Sequence, residues 1–379
     1  MHERPKVAYV IFASNSITGF VQDDQGYVWI STAAGLCKYN GAAYRVFTCA
    51  GDSLSLNDDN IIKMFMDSDG DIWVANQAGF AVWSHDHFRT PEHSTFNLIY
   101  SFAQLIDNEV IISDRNSISR IDKETLKEKS HFIDPHLVSP TCLAVKETNE
   151  IWTRVDMNNP REIYVLNSEL SLVDKITCPI EVEGMCHIQD RNLIMLYGDA
   201  GAVFYRVDTH RPIESPQWCK DILSVKGASI SFVTSYSNGD LLVGVVGRKP
   251  LRIDTVSEHV TESTCKVVVD GESVYTCYVD KDDNIWISSD TQPNFKFAPS
   301  RTYCSTMVDE ISSLKSKFVL TVSVDSNGFG WMRTMNDLAS YDAISGKISY
   351  HEKGSFGEFC IDSKDRLWVM GYDTNVSRY

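Results

Sequence analysis

The 379-residue chain lacks several features that would assign it to a common functional class. No run of about 18 apolar residues occurs, so no membrane-spanning helix is expected. The apolar run VAYVIFA near the N-terminus is short for a secretory signal and alternates as a strand does, so no signal peptide is expected in this chain. Lys and Arg number 35 against 51 Asp and Glu, and the net charge of −16 argues against nucleic-acid binding.

Motifs for catalysis and metal binding are also missing. The chain contains no G-x-S-x-G, H-E-x-x-H or G-x-x-x-x-G-K sequence. Its ten cysteines include no C-x-x-C pair and match no zinc or haem spacing. No catalytic residue, metal site or cofactor is therefore predicted, and the chain is not expected to be an enzyme.

Helical periodicity is nearly absent, and residues 309–318, DEISSLKSKF, are the best short candidate for a helix. No linker rich in Ser, Gly or Pro divides the chain, and no segment is of low complexity. The remaining pattern is that of short strands separated by turns.

The chain contains five copies of one pattern, Asp-x-x-Gly/Asp-x-x-Trp. The aspartates are Asp23, Asp67, Asp280, Asp325 and Asp362, and the tryptophans are Trp29, Trp73, Trp286, Trp331 and Trp368. Gly26, Gly70 and Gly328 occupy the central position in three copies. Weaker copies end at Trp152 and at Leu242, and the most degraded ones surround Ile111 and Ile194. We call the Trp, or the residue in its place, the anchor of a unit, and count nine units.

Each unit predicts four short strands. In the first, Asp23 suits a turn because its carboxylate accepts backbone N–H groups, and Gly26 suits the positive φ at the turn's end. An aromatic and β-branched strand follows, and Asn40-Gly41 closes a further hairpin. Neighbouring anchors stand 44 or 45 residues apart where the copies are clearest, which is typical of propeller blades. The chain is therefore predicted to be all-β, a β-propeller of four-stranded antiparallel blades, with each Trp buried between blades.

Cysteines also recur at related places in the units. Cys277 falls where Phe20 and Met64 stand in other units, and Cys142, Cys186 and Cys360 fall within about a residue of that place. We expect these four to be small buried apolar residues, and the alternatives are a disulfide or a metal ligand.

Residues 17–48, ITGFVQDDQGYVWISTAAGLCKYNGAAYRVFT, resemble a two-component regulator propeller repeat, and the resemblance continues through residues 51–83. It weakens along the rest of the chain. Such repeats build the periplasmic sensor region of hybrid two-component systems of Bacteroidetes. The resemblance implies a non-catalytic, periplasmic, ligand-sensing domain that binds a glycan fragment and signals toward a histidine kinase. It also implies a homodimer of the full-length receptor.

Two layouts of the nine units are open. By resemblance, residues 1–300 form a seven-bladed propeller, with KVAYVIFA at 6–13 as the outer strand of its seventh blade, and residues 301–379 begin a second propeller. Alternatively, residues 1–379 form one closed nine-bladed ring. We favour the first layout because propellers usually have four to eight blades.

Ligands of propellers are held at the end of the axis where the second strands finish. The residues expected there are Gln77, Arg115, Arg154, Arg248, Arg333 and Tyr372. Four arginines could bind carboxylates or sulfates of an anionic ligand. The alternative is that they are ordinary solvated loop residues. Two other functions stay open for the chain, a protein-binding scaffold and a propeller lyase or other glycan-active enzyme.

Overall fold

Nine antiparallel sheets make up the part of the chain that the computed structural model describes. That part comprises residues 16–40, 44–51, 55–92, 96, 98–106, 108–158, 160–263, 265, 274–289, 295–297, 319–324, 329–334, 337–342, 347–353, 356–362, 366–371 and 376–378. Among these residues, no helix has both the length and the apolar character needed to cross a membrane. The prediction of an all-β propeller built from nine units is confirmed.

The first three sheets follow the first three sequence units. Sheet 1 contains β1 (Ile17–Gln22), β2 (Val28–Thr32), β3 (Gly35–Tyr39) and β4 (Tyr44–Phe47). Sheet 2 contains β5 (Lys63–Met66), β6 (Ile72–Asn76), β7 (Gly79–Ser84) and β8 (His87–Arg89). Sheet 3 contains β9 (Ser101–Ala103), β10 (Glu109–Ser113), β11 (Ser117–Asp122) and β12 (Glu128–Ile133).

The next three sheets repeat the plan. Sheet 4 contains β13 (Thr141–Val145), β14 (Glu150–Arg154), β15 (Glu162–Asn167) and β16 (Leu172–Thr177). Sheet 5 contains β17 (Gly184–Ile188), β18 (Leu193–Gly198), β19 (Gly201–Arg206) and β20 (Pro212–Ile213). Sheet 6 contains β21 (Ile230–Ser235), β22 (Leu241–Val245), β23 (Leu251–Ile253) and β24 (Val260–Glu262).

The last three sheets include two for which three strands are described. Sheet 7 contains β25 (Val274–Val279), β26 (Ile285–Ser289) and β27 (Phe295–Phe297). Sheet 8 contains β28 (Val319–Val324), β29 (Phe329–Thr334), β30 (Asp337–Asp342) and β31 (Lys347–Lys353). Sheet 9 contains β32 (Phe356–Ile361), β33 (Leu367–Gly371) and β34 (Val376–Arg378). Within every sheet the strands pair in chain order.

The first seven sheets follow one another around a ring. The first strand of each sheet contacts the first strand of the next, and β25 of sheet 7 returns to β1 of sheet 1. Ser288 Oγ donates a hydrogen bond to the carbonyl of Ile17 at 3.0 Å, and the backbone N–H of Gln22 donates to the Tyr278 hydroxyl at 3.1 Å. Sheets 8 and 9 contact each other through β28 and β32. The division into domains at residue 300 stays a prediction, and the strand at 6–13 lies outside the described residues.

The aspartate of the repeat holds the turn and also binds the indole of the anchor. Only its role in the turn was predicted. In the second unit one oxygen of Asp67 accepts the backbone N–H groups of Asp69 and Asp71 at 2.9 and 3.1 Å. Its other oxygen accepts the indole N–H of Trp73 at 2.9 Å. The same indole bond joins Trp29 to Asp23, Trp286 to Asp280 and Trp368 to Asp362 at 2.8–2.9 Å. The six-residue spacing is fixed because one carboxylate holds both the turn and the indole.

The glycines of the turns behave as predicted where they are described. Gly26 has φ +85° and Gly70 has φ +84°, and Asp283 takes the same place at φ 61°. Non-glycine residues are uncommon at positive φ, and Asp is one of the few that tolerate it. Asp325 and Gly328 lie outside the described residues.

The anchors fill the space between neighbouring sheets. Trp29, Trp73, Trp152 and Trp286 are fully buried, whereas Trp331 and Trp368 are partly buried. Trp73, for example, packs in one cluster with Val110 and Ile112, which belong to the second strand of the next sheet. Each buried indole therefore faces the following blade.

The degraded copies follow the same rule with one exception. Ile111 and Leu242 face the following sheet, as an anchor should. Ile194 instead packs with Trp152 on the side of the preceding sheet, and Met195 packs with the second strand of sheet 6. The anchor of the fifth unit is therefore Met195 and not Ile194, because alternate residues of a strand point to opposite faces.

Trp152 is the tryptophan anchor whose unit lacks the aspartate. Lys146 stands six residues before Trp152, and the buried indole N–H of Trp152 has no hydrogen-bond partner among the described residues. Both Trp152→Phe and Trp73→Phe should lower the free energy of unfolding. We expect the loss to be smaller for Trp152→Phe by at least about 1 kcal/mol, because only Trp73→Phe removes a hydrogen bond to a carboxylate. Urea unfolding of the two variants measures the difference. Equal costs would show that the indole–carboxylate bond contributes nothing.

A helix, Gln217–Leu223, buries Trp218, Cys219 and Ile222 between sheets 5 and 6, and no helix was predicted there. The candidate helix at 309–318 lies outside the described residues.

The cysteines near the equivalent inner-strand place are free thiols. Cys186 is buried, Cys142 and Cys277 are partly buried and Cys360 is exposed, so the expectation of burial was wrong for Cys360. Cys360 pairs with the partly buried Trp368 in sheet 9, where no described sheet follows to cover that face. Burial raises the pKa of the Cys142 and Cys186 thiols to about 11, so both stay protonated at neutral pH.

Candidate ligand site at the upper end of the ring

We call the upper end of the ring the end where second strands finish and first strands begin. The second residue after each anchor lies there, and we call it the link position. In chain order the seven link residues are Ser31, Ala75, Ser113, Arg154, Tyr197, Gly244 and Ser288. Their partners across the sheet, on the first strands, are Gly19, Lys63, Ser101, Thr141, Gly184, Phe232 and Thr276.

Four of the link residues form hydrogen bonds to the next blade. Ser113 Oγ donates to the carbonyl of Pro140 at 2.7 Å, and Ser288 makes the equivalent bond from sheet 7 to sheet 1. Arg154 Nη1 donates to the carbonyls of Val182 and Glu183 at 3.2 and 3.3 Å. The Tyr197 hydroxyl accepts the backbone N–H of Val233 at 3.3 Å. These side chains provide hydrogen-bond partners for backbone groups of the following sheet.

Large and small residues alternate across the sheet at this level. Tyr197 lies over Gly184, where an added Cβ would stand 2.3 Å from the tyrosine ring. Phe232 lies over Gly244 in the same way, with a Cβ 2.2 Å from its ring. Either glycine is therefore required by close packing. Lys63 similarly lies opposite the small residue Ala75.

Two cations, Lys63 and Arg154, stand out at the upper end. Lys63 begins β5 and its side chain reaches water. Its pKa is lowered, first because surrounding protein removes part of its hydration and then because the charge of Arg154 repels its own. Burial also lowers the pKa of Arg154, and its Nε has no hydrogen-bond partner in the part of the chain that the structure describes. Within the described residues no carboxylate lies within ion-pair distance of either cation.

Acidic groups lie near Arg154 without forming an ion pair. The charges of Glu183 and Asp156 favour its protonated form. The pKa of Glu183 is itself raised, by burial and by the neighbouring charge of Asp199. The upper end therefore carries both signs of charge, with the cations toward sheets 2 and 4 and the carboxylates toward sheet 5.

The described residues among those predicted for the site lie on five different sheets. Gln77, Arg115 and Arg248 are exposed in turns after β6, β10 and β22. Arg154 occupies a link position, and Arg333 has the equivalent place in sheet 8, where it is buried and outside the seven-sheet ring. Tyr372 lies outside the described residues. The binding role of these six residues stays a prediction.

Lys63 was missed by the sequence reasoning, which considered only residues after second strands. Aligning the units by their anchors would have shown that Lys63 occupies the first-strand position that Gly19, Ser101 and Thr141 occupy in other units. A lysine among glycine and hydroxyl residues at one level of the ring is the signal that was available.

The ring of anchored sheets and its polar upper end define the chain as a β-propeller, the class to which the described part belongs. Residues 11–34 and 55–78 match the sequence model of a family described as "Two component regulator propeller". The resemblance inferred from the repeat is thereby confirmed for these two units. No curated protein sequence gives a significant match to the chain.

Solved structures share the fold over most or all of the chain. One is the extracellular domain of the hybrid two-component system BT4673 from B. thetaiotaomicron, 15% identical with a TM-score of 0.59, covering 100% of this chain and 52% of that one. Another is the corresponding domain of BT3049 from the same organism, 17% identical with a TM-score of 0.58, covering 97% and 52%. The WD40 β-propeller domain of Doa1 is 10% identical with a TM-score of 0.57, covering 79% and 99%. This chain thus spans about half the length of the two extracellular domains.

Proposed function

We propose that the chain is a non-catalytic, ligand-sensing propeller of a hybrid two-component system, located in the periplasm or outside the cell. The observation that carries the proposal is the shared fold of the whole chain with extracellular domains of such systems, together with the two matching repeats. The proposed ligand is an oligosaccharide held at the upper end of the ring. Binding would bias a conformational equilibrium that reaches a histidine kinase of the same system, in a receptor that we propose to be a homodimer.

The use of the charged side chains supports binding over catalysis. Lys123 contacts both Asp67 and Asp69, and it is buried between sheets 2 and 3. Arg120 contacts Glu109 and Glu169, each at 2.7 Å, and so joins sheets 3 and 4. These clusters sit at the turns opposite the upper end and brace the blades. Their carboxylates are held by cations and are not arranged as an acid–base pair facing a cleft.

A thermal-shift panel of neutral and acidic oligosaccharides tests the proposed function. A ligand that binds the folded chain alone should add about 2.7 kcal/mol of stability at 100 times its dissociation constant, and so raise the melting temperature. Polyethylene glycol of matched mass serves as a viscosity and crowding control. A panel in which no oligosaccharide moves the melting temperature contradicts glycan sensing.

A protein-binding scaffold is the second candidate. Ile133 and Val173 are 60% and 50% exposed on β12 and β16, the outer strands of neighbouring sheets 3 and 4, and Leu172 beside them is 39% exposed. Apolar residues on adjacent outer strands suit a protein partner. A partner protein that raises the melting temperature when no oligosaccharide does so would favour this candidate.

A further inference from the structure

Ion pairs join neighbouring sheets at the lower end of the ring, which we define as the end opposite the upper end. At five of the seven interfaces the cation is a lysine or an arginine, which stays charged at neutral pH. These cations are Lys123 between sheets 2 and 3, Arg120 between sheets 3 and 4, Arg191 between sheets 5 and 6, Arg252 between sheets 6 and 7 and Lys281 between sheets 7 and 1. The interface between sheets 4 and 5 differs, because a histidine takes this place.

His210 lies in the turn between β19 and β20 and reaches across to sheet 4. Its Nδ1 lies 3.1 Å from Oδ2 of Asp174 on β16, and its Nε2 lies 3.1 and 3.2 Å from the two carboxylate oxygens of Glu150 on β14. The ring also meets the indole of Trp152 edge-on, with centroids 5.4 Å apart. The side chains of His210 and Glu150 are 12% and 14% exposed, so water covers little of this pair.

A carboxylate faces each ring nitrogen of His210, and this arrangement selects one form of the ring. A neutral imidazole has one N–H donor and one bare nitrogen, and the bare nitrogen would face an anionic oxygen. The imidazolium form can instead donate to both Glu150 and Asp174. Loss of the proton removes one of these hydrogen bonds and leaves the two carboxylates without a positive charge between them.

The charged groups around this imidazole have other partners or lie in water. Asp208, in the same turn, is paired with Arg206 at 3.0 Å, and the adjacent Arg211 is exposed. Lys175 on β16 donates to the Tyr164 hydroxyl at 3.0 Å. The positive charge between the two carboxylates therefore comes from the ring itself.

A second histidine of sheet 5, His187, also faces sheet 4, where its Nδ1 lies 3.8 Å from Glu147. Burial lowers the pKa of His187 more than the charge of Glu147 raises it. A histidine of this kind is neutral in the folded chain, so its contribution to stability is lost as the pH falls. This dependence has the opposite sign to that expected for His210, and it cancels when variants of His210 are compared with the unmodified chain.

We propose that His210 is a pH-sensitive brace between sheets 4 and 5, complete when the ring is protonated and weakened when the ring loses its proton. A histidine titrates between about pH 5 and 8. The stability that the brace provides is present in acid and is lost as the pH rises through this range, because the two carboxylates favour the protonated ring in the folded chain alone. This inference does not depend on the proposed function.

The same two sheets are also joined at the upper end, by Arg154. Its guanidinium group donates to the carbonyls of Val182 and Glu183 and stays charged throughout this range of pH. A rise in pH should therefore loosen the interface between sheets 4 and 5 at its lower end while the upper end stays joined.

Urea unfolding of the full chain and of His210→Gln, at about pH 5.5 and about pH 8.5, tests the proposal. Glutamine keeps a polar side chain of similar length but carries no charge at either pH. The factor by which the substitution raises the unfolding equilibrium constant should be at least about fivefold larger at the lower pH, because hydrogen bonds to a charged group are lost there. An equal factor at both pH values would overturn the inference, since a purely structural role does not depend on the charge of the ring.

His136→Gln is the matched control. Nδ1 of His136 lies 2.8 Å from a carboxylate oxygen of Asp134, but the His136 side chain is 68% exposed. The corresponding factor should change less than about twofold between the two pH values, because water replaces an exposed partner. A change as large as that for His210→Gln would contradict a brace that depends on enclosure between two sheets.

Two further measurements keep the test decisive if His210→Gln folds poorly. Glu150→Gln leaves the histidine in place and removes one of the charges that favour its protonated form, so its stability should depend less on pH than that of the unmodified chain. Hydrogen exchange of the unmodified chain, corrected for the intrinsic effect of pH, should show that the amides of β14 and β16 lose protection at the higher pH relative to those of sheet 2. An unchanged pH dependence in Glu150→Gln, or an equal loss of protection in all sheets, would contradict the brace.

Discussion

Replacement of Trp73 by Ala should lower the free energy of unfolding by about 3–5 kcal/mol. The indole is completely buried between sheets 2 and 3, stacks on Phe80 with ring centroids 5.5 Å apart and packs with Val110 and Ile112. Truncation leaves a cavity that two rigid sheets cannot close, so the full transfer and cavity costs should appear.

Urea unfolding followed by circular dichroism measures this loss. Met370→Ala is the matched truncation on the surface, because Met370 is 47% exposed on the second strand of sheet 9. It should cost less than about 1 kcal/mol. A Trp73→Ala loss no greater than that of Met370→Ala would contradict the inter-blade role of the anchor.

Replacement of Asp67 by Ala should cost a comparable 3–5 kcal/mol, through a different mechanism. Its carboxylate accepts the indole N–H of Trp73, two backbone N–H groups of the turn and the ammonium group of Lys123 at 3.0 Å. Both carboxylate and ammonium are enclosed, and removing Asp67 leaves the buried ammonium with only the largely exposed carboxylate of Asp69 as its counter-charge. The turn and the anchor lose their common partner at the same time.

Asp69→Ala is the control for this change, two residues away in the same turn. Asp69 also contacts Lys123, at 2.6 Å, but its side chain is 68% exposed. Its loss should cost about 1 kcal/mol or less, since water replaces an exposed partner. Thermal and urea unfolding of both variants measure the two losses of stability. Similar losses at the two positions would show that burial of the carboxylate is unimportant.

The blade architecture could be predicted from the sequence because one residue type performs two local tasks. The six-residue interval between Asp67 and Trp73 is preserved wherever the carboxylate must hold both the turn and the indole. Where the aspartate is absent, as before Trp152 and Met195, the interval is no longer constrained, and the anchor of the fifth unit was placed one residue too early at Ile194. The alternation of strand faces, visible only from the packing, corrected it.

The upper end was harder to predict because its chemistry depends on contacts between sheets. Arg154 looks like a loop residue in the sequence, yet its guanidinium group spans to the carbonyls of Val182 and Glu183. Lys63 gives no motif at all, and its place at the level of the link residues follows from its pairing with Ala75. The helix Gln217–Leu223 was missed for a related reason: its seven residues are too few for a clear period, and its burial comes from sheets 5 and 6.

Closure of the ring joins residues that are far apart in the chain. The bond from Ser288 to Ile17 spans 271 residues, and Phe20 on β1 finds Trp286 at 5.7 Å only once sheet 7 exists. During synthesis, the apolar face of sheet 1 that packs against sheet 7 therefore stays uncovered until nearly three hundred residues have left the ribosome. Such late pairing slows folding and exposes the nascent chain to misassociation with other copies.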